Sequence, residues 1–255
     1  YTLAVTSGAV FAGTGDKQTA THNFNVARLS LGQDATILTR SGAKSVYNTT
    51  IQAHSLSIAG KGETVLAGAN QQTGATYITE GITTATHPDA FGYDFGTTYV
   101  NMGAVLQLDN VNIGNSPLRV QSPGFGSGSF DNRGGLMAVG NGPSSWGTGT
   151  TAIIFQTAGA AGVGLVGYFG AEAGSSLDLN GTITSTSVQL HKIGDGVATF
   201  SGVRSNAGDQ VTYVDAGTLQ LNKTPGFNAV PTTLYVGDEV GGDDADKLVD
   251  RKSVV

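Results

Sequence analysis

The residues best equipped for chemistry are few and lie far apart. Adjacent carboxylates occur only in "GDEVGGDDADK" (237–247), as Asp238–Glu239 and Asp243–Asp244, with Asp246 close behind. Paired acids could serve glycoside hydrolysis, and a carboxylate group beside a Lys or Arg base could serve polysaccharide elimination. Oxygen ligands at short spacing between glycines could instead hold calcium, but the calcium-loop pattern with Gly at its sixth position and a closing Glu is absent. A solvated acidic turn is the favoured reading.

The four histidines, His22, His54, His87 and His191, are widely separated and show no zinc spacing. No Gly-x-Ser-x-Gly elbow is present. "GFGSGS" (124–129) is glycine-rich, but no helix follows and it lacks the Lys-Ser/Thr of a phosphate loop. Phe91, Tyr93, Phe95, Tyr99 and Trp146 could together offer rings for stacking on a sugar; packing in the core or in a loop is the commoner fate of such residues. Asn48, Asn180 and Asn222 each open an N-glycosylation triplet, which a Thr-rich chain also produces by chance. No catalytic, cofactor-binding or metal-binding residue is assigned, no cofactor is implied, and the chain is not expected to be an enzyme.

Such side chains need elements to hold them, and the elements here are strands. The chain has 255 residues, 39% hydrophobic and only 13% charged, with 39 glycines. Low charge with ample hydrophobicity argues against disorder. The net charge of -6, with 13 scattered Lys and Arg, offers no basic surface for nucleic acid. There are no cysteines, so disulfides and thiolate metal sites are excluded. The sequence starts at Tyr1 with no signal segment, so either a leader was removed or it begins within a longer chain.

No segment sustains a capped helical period. Short alternating runs recur instead. "FNVARLSLG" (24–32) shifts its apolar side near Ala27, which predicts a bulge or bend there. "GAVLQLDNVNIG" (103–114) changes apolar parity between Leu108 and Val111, which predicts a turn or bulge at Asp109–Asn110. "AIIFQTAGAAGVGLVGYFGA" (152–171) is long enough to span a bilayer. Its glycines make a poor helix, and buried strands joined by glycine turns fit better, so no membrane span is expected.

The runs return every 20–30 residues or so, the spacing of solenoid coils. The expected fold is therefore all-β, a single parallel β-solenoid domain over residues 1–255. Roughly ten coils at about 4.8 Å each would make a rod some 50 Å long. Residues 121–150, rich in Gly and Ser and holding the only tryptophan, read as a loop excursion from the rod, with a domain linker as the alternative.

Residues 188–221, "VQLHKIGDGVATFSGVRSNAGDQVTYVDAGTLQL", resemble the autotransporter-associated β-strand repeat family. The resemblance rests on Leu190, Lys192, Gly194, Gly196, Ser201, Gly202, Ala216, Gly217, Thr218, Leu219 and Leu221. Ala198 and Phe200 stand where the family has Leu, and a segment with Arg204 and Asn206 replaces its usual turn. With the segment that follows, the match covers residues 188–249. The resemblance implies a right-handed β-helix in a bacterial passenger that is secreted or displayed at the cell surface, with repeats that carry no catalytic residues. Leu190 and Phe200 are then expected to face inward, Gly194 and Gly196 to turn the chain, and Lys192 to make a surface or turn contact.

Three functions follow. The first is a shaft of an extracellular assembly, able to self-associate head to tail or laterally through uncapped coils. The second is an adhesin or glycan-binding module that uses the 121–150 loop to contact a surface glycan or matrix. The third and least favoured is a carbohydrate-active enzyme on the same fold.

Overall fold

The computed structural model describes residues 2–4, 10–13, 21–92, 96–114, 116–121, 124, 134–156, 165–185, 188–209, 211–237 and 245–251. Every described element is a strand, and every strand pairing is parallel. The chain winds as a parallel β-solenoid whose coils visit three faces in turn.

The first face carries Val10–Gly13, Ala35–Thr39, Leu56–Ala59, Thr76–Ile78, Thr98–Val100 and Leu118–Val120, and continues through residues 151–155 and 181–185, the second halves of two long strands, to Ala207–Gly208. The second is a ten-stranded sheet in unbroken order, from Thr21–Phe24 through Lys44–Tyr47, Glu63–Leu66, Gly81–Ala85, Ala104–Asp109, Leu136–Val139, Leu165–Ala171, Val188–Ile193 and Thr212–Val214 to Leu234–Val236. The third begins with Thr2–Ala4, Arg28–Ser30 and Thr50–Gln52. It returns at Asn112–Ile113 and continues through the first halves of the long strands Pro143–Phe155 and Ser176–Ser185, then through Val197–Gly202, Gly217–Lys223 and Asp246–Asp250. Ten rungs at about 4.8 Å give a second face of roughly 45–50 Å.

Alternation drives this winding. Ala35–Thr39 and Ser176–Ser185 place every second side chain in the interior. Because the coils stack in register, those side chains form rows along the axis, such as Leu177, Ala198 and Leu219, all fully buried. One continuous apolar core results. The step from one coil to the next varies: Lys44 pairs with Glu63 nineteen residues on, whereas Leu136 pairs with Phe169 thirty-three residues on. Register is held by the rows, and length is taken up at the corners.

The parity change at Asp109–Asn110 is a corner. Asn110 adopts the left-handed conformation (φ 49°) between the strands that end at Asp109 and begin at Asn112. The switch near Ala27 is the corner between Phe24 on the second face and Arg28 on the third. In the 152–171 stretch the described residues are strands, to Phe155 and from Leu165, and no helix among the described residues is long and apolar enough to cross a membrane.

The 121–150 excursion needs correction. Leu136–Val139 is a strand of the second face, and Pro143–Phe155 is the longest of the described strands. Its Ser and Gly content reads as a loop, yet Ser144 and Trp146 alternate inward, and Gly147 and Gly149 (φ 99° and 91°) carry it around a corner. Residues 122–123 and 125–133 lie outside the described residues.

Candidate functional site

The side chains with most chemical potential sit at the corners and bind the backbone. Lys192 occupies an inward row between Phe169 and Val214 and is fully buried. Its ammonium donates to the carbonyl oxygens of Gly194, Gly196 (2.8 Å) and Ala216 (2.6 Å). Three N–H donors meet three acceptors, so the charge is buried with its hydrogen-bonding capacity filled. The expected surface placement of Lys192 is therefore wrong, while its turn contact is right: four methylenes reach the corner from inside. Burial pulls the Lys192 ammonium down to about 8, opposed by the carboxylates of Asp195 and Asp246.

The glycines around Lys192 are there for space. A Cβ on Gly217 would lie 2.6 Å from the carbonyl oxygens of both Gly194 and Gly196 and 2.7 Å from Lys192 Nζ. A Cβ on Gly196 would meet the Glu172 carbonyl oxygen at 2.3 Å. The Lys-x-Gly-x-Gly run and the Ala-Gly that follows thus form one corner across two coils. Leu190 and Phe200 face inward and Gly194 turns the chain at φ 75°.

A second buried lysine, Lys223, donates to the carbonyl of Gly181. Burial brings it to about 8, opposed by the Asp178 carboxylate. Burial also raises the Asp178 carboxyl, against a hydrogen bond from Ser201 Oγ (2.6 Å) and the Lys223 charge.

Two asparagines do for the backbone what a strand would. Asn70 accepts from Ile51 N (2.8 Å) and donates to the Ala90 carbonyl (2.8 Å), bridging the coil before and the coil after. Asn206 repeats this between Ile183 N (2.9 Å) and the Ala229 carbonyl (2.7 Å). Both are buried, and each supplies bonds where the regular strand ladder lapses.

The second face carries an aromatic row on its outside. Tyr168, His191, Tyr213 and Tyr235 are consecutive rungs, with ring centroids 5.3, 4.4 and 5.2 Å apart. His191 Nδ1 lies 2.5 Å from Asp215 Oδ2, while its Nε2 is buried without a partner. Sequence reasoning misses this row, although its members recur every twenty-two or twenty-three residues.

Of the rings that could stack on a sugar, Phe91 and Trp146 follow the favoured reading and pack on each other in the core (5.4 Å), and Trp146 Nε1 donates to the Ser116 carbonyl (2.7 Å). Large rings fill the inward positions, where they bury the most area. Tyr99 stacks on Tyr77 at 5.0 Å on the first face, while Tyr93 and Phe95 lie outside the described residues. The four histidines stay on separate coils. Of the acidic run, Asp238, Glu239, Asp243 and Asp244 lie outside the described residues, and Asp246 opens the last strand. Among the described residues no three His, Asp or Glu side chains converge as metal ligands.

Comparison with protein-family models, curated proteins and solved structures found no match.

Proposed function

We propose that this chain is a non-enzymatic shaft segment of an extracellular or cell-surface assembly, of the autotransporter-associated repeat type that residues 188–249 resemble. The observation that carries the reading is Lys192. The one charged side chain in the resembling motif is fully buried and directs all three donors to backbone carbonyls of its own corner and the next coil. A lysine so placed presents no lone pair to a substrate and serves to hold coils together. Asn70 and Asn206 support the same reading, since each joins the coil before it to the coil after it.

The test has two arms. Antibody raised against the chain should label intact producing cells; label that enters only after permeabilisation overturns the extracellular assignment. The purified chain should leave a panel of acidic and neutral polysaccharides uncleaved. Turnover that survives repurification and is lost on substitution of Asp178 or Asp215 overturns the shaft in favour of a carbohydrate-active enzyme.

A glycan-binding reading keeps one observation in its favour, away from Trp146. On the first face Tyr77, 36% exposed, Tyr99 and Arg119 follow one another in register, an aromatic and cationic strip suited to an anionic sugar chain. Glycan-array binding that falls with Tyr77→Ala and Arg119→Ala supports it; an empty array removes it.

A further inference from the structure

One inward row of the second face changes its chemistry along the rod. His22, Ser45, Thr64 and Thr83 occupy four consecutive rungs of it, and Leu106, Leu136 and Phe169 continue it. Ser45, Thr64, Thr83 and Leu106 are fully buried. The hydroxyls of Ser45 and Thr83 and the Nε2 of His22 are buried with no hydrogen-bond partner in the chain. Thr64 differs: its hydroxyl meets the Thr39 hydroxyl of the first face at 2.8 Å. Orphaned buried groups are few in a folded chain, so three of them in one row call for a common partner.

We propose that this row binds a file of internal water molecules, one between each pair of neighbouring polar rungs. The three places lie between His22 and Ser45, between Ser45 and Thr64, and between Thr64 and Thr83. Spacing is the first argument. Like atoms on in-register rungs repeat about every 4.8 Å, too far for a hydroxyl to reach the next at about 2.8 Å. A water set midway can stand about 2.8 Å from both, with an angle of roughly 120° at its oxygen.

Capacity is the second argument. A hydroxyl donates once and accepts twice. Thr64 spends one site on Thr39 and keeps two, one for the water on either side. Ser45 likewise serves a water on each side. Thr83 serves one, and the apolar Leu106 ends the file. His22 Nε2 closes the other end, as donor or acceptor according to its tautomer. Each water then has two fixed partners, within the range that buried waters show.

The donor set selects water over an ion. The row holds no carboxylate, and its hydroxyls offer donors and acceptors alike to a neutral ligand. The inference goes beyond the shaft reading and stands apart from it, since it concerns only the interior. It gives the nineteen-residue return of Ser45, Thr64 and Thr83 a purpose: the file joins four coils through side chains, as the strand ladder joins them through backbone.

Thr83→Val tests the proposal, because valine keeps the shape and removes the hydroxyl. In a dry row this change relieves an orphan and stabilises the chain. In a hydrated row it strips the last water of one of its two partners, and the unfolding constant at fixed urea should rise about three- to tenfold. Oxygen-17 relaxation dispersion on the full chain counts long-lived internal waters, and Thr83→Val should hold one fewer than wild type. A Thr83→Val chain as stable as wild type, or more stable, overturns the proposal. So does an unchanged count of internal waters.

Discussion

Lys192 Nζ donates to the carbonyl of Ala216 at 2.6 Å, a bond between residues one coil apart. Together with its bonds to Gly194 and Gly196 it turns a corner of the solenoid into a closed coordination of one ammonium by three carbonyls. Lys192→Met keeps the volume and removes the donors, so three inward carbonyls lose their partner. Hydrogen bonds to a charged group contribute about 1.5–3 kcal/mol each, and relief of the buried charge offsets part of their loss. Urea unfolding should show a net loss of about 2–4 kcal/mol. Unchanged stability would mean that the corner does not depend on the ammonium.

The same burial gives stability a pH dependence. Lys192 and Lys223 stand at about 8 when folded, against 10.5 for an ordinary lysine. Between those values the unfolded chain binds more protons, so stability rises with pH. The cost of the buried charge is full below 8 and gone above 10.5. From pH 7 to 9.5 each lysine should add about 2 kcal/mol. Wild type should therefore gain about that much more than Lys192→Met across this interval. The buried Tyr47 hydroxyl, pushed above its ordinary range by desolvation, acts in the opposite sense only above about pH 10. An equal response of the two proteins would show that the carbonyls hold the proton on Lys192 more firmly than burial expels it.

Asn70 bridges Ile51 and Ala90 with one acceptor and one donor. Asn70→Leu leaves the buried Ile51 N–H unanswered and the Ala90 C=O with only the long bond from Gln72 Nε2 (3.4 Å), at a cost of about 1–3 kcal/mol. Asn70→Asp should instead recover stability on acidification. Only the protonated acid can still donate to Ala90, so its folded pKa is raised, and the stabilisation present at low pH is lost as pH rises through that value. A melting temperature for Asn70→Asp that does not improve relative to wild type between pH 7 and pH 4 would contradict the bridge.

Two glycines with positive φ should separate conformational cost from collision. A Cβ added to Gly103 (φ 81°) would have nothing within 4 Å, so Gly103→Ala should cost only about 1–2 kcal/mol of backbone strain. Gly217 (φ 67°) would drive its methyl into two carbonyls and the Lys192 ammonium, so Gly217→Ala should cost clearly more. Equal melting temperatures for the two variants would argue against the close corner at Gly217.

Trp146→Ala should cost about 3–5 kcal/mol, as expected for a large buried ring whose removal leaves a cavity beside Phe91. Any loss of glycan binding in this variant should track loss of folded protein, whereas Tyr77→Ala should leave the melting curve nearly unmoved.

Period-two alternation made the strands legible, and the change of apolar parity was enough to locate the Asn110 corner. Return spacing indicated coils. Alternation reports facing, however, and a solenoid corner is built from backbone, so its lysine looks like any surface lysine in a linear reading. Lys192 is followed by Ile and Gly, and nothing local shows that its methylenes run inward. Trp146 misled for the converse reason: Ser, Gly and Pro around it signal a loop, while the inward row that receives it is contributed by coils thirty or more residues away. The outer row of Tyr168, His191, Tyr213 and Tyr235 could be found only by fixing the register first.

Backbone hydrogen bonds in this fold run along the rod, so tension applied between its ends would load every face at once, and the coils would be expected to peel singly. Asn70 and Asn206 each hold the coil ahead and the coil behind, and Lys192 pins a corner to its successor. Under load such side chains act as rip-stops in a woven cloth. A tear that frees one coil must break a buried polar stitch before it can run to the next, which confines mechanical damage to the end where it starts.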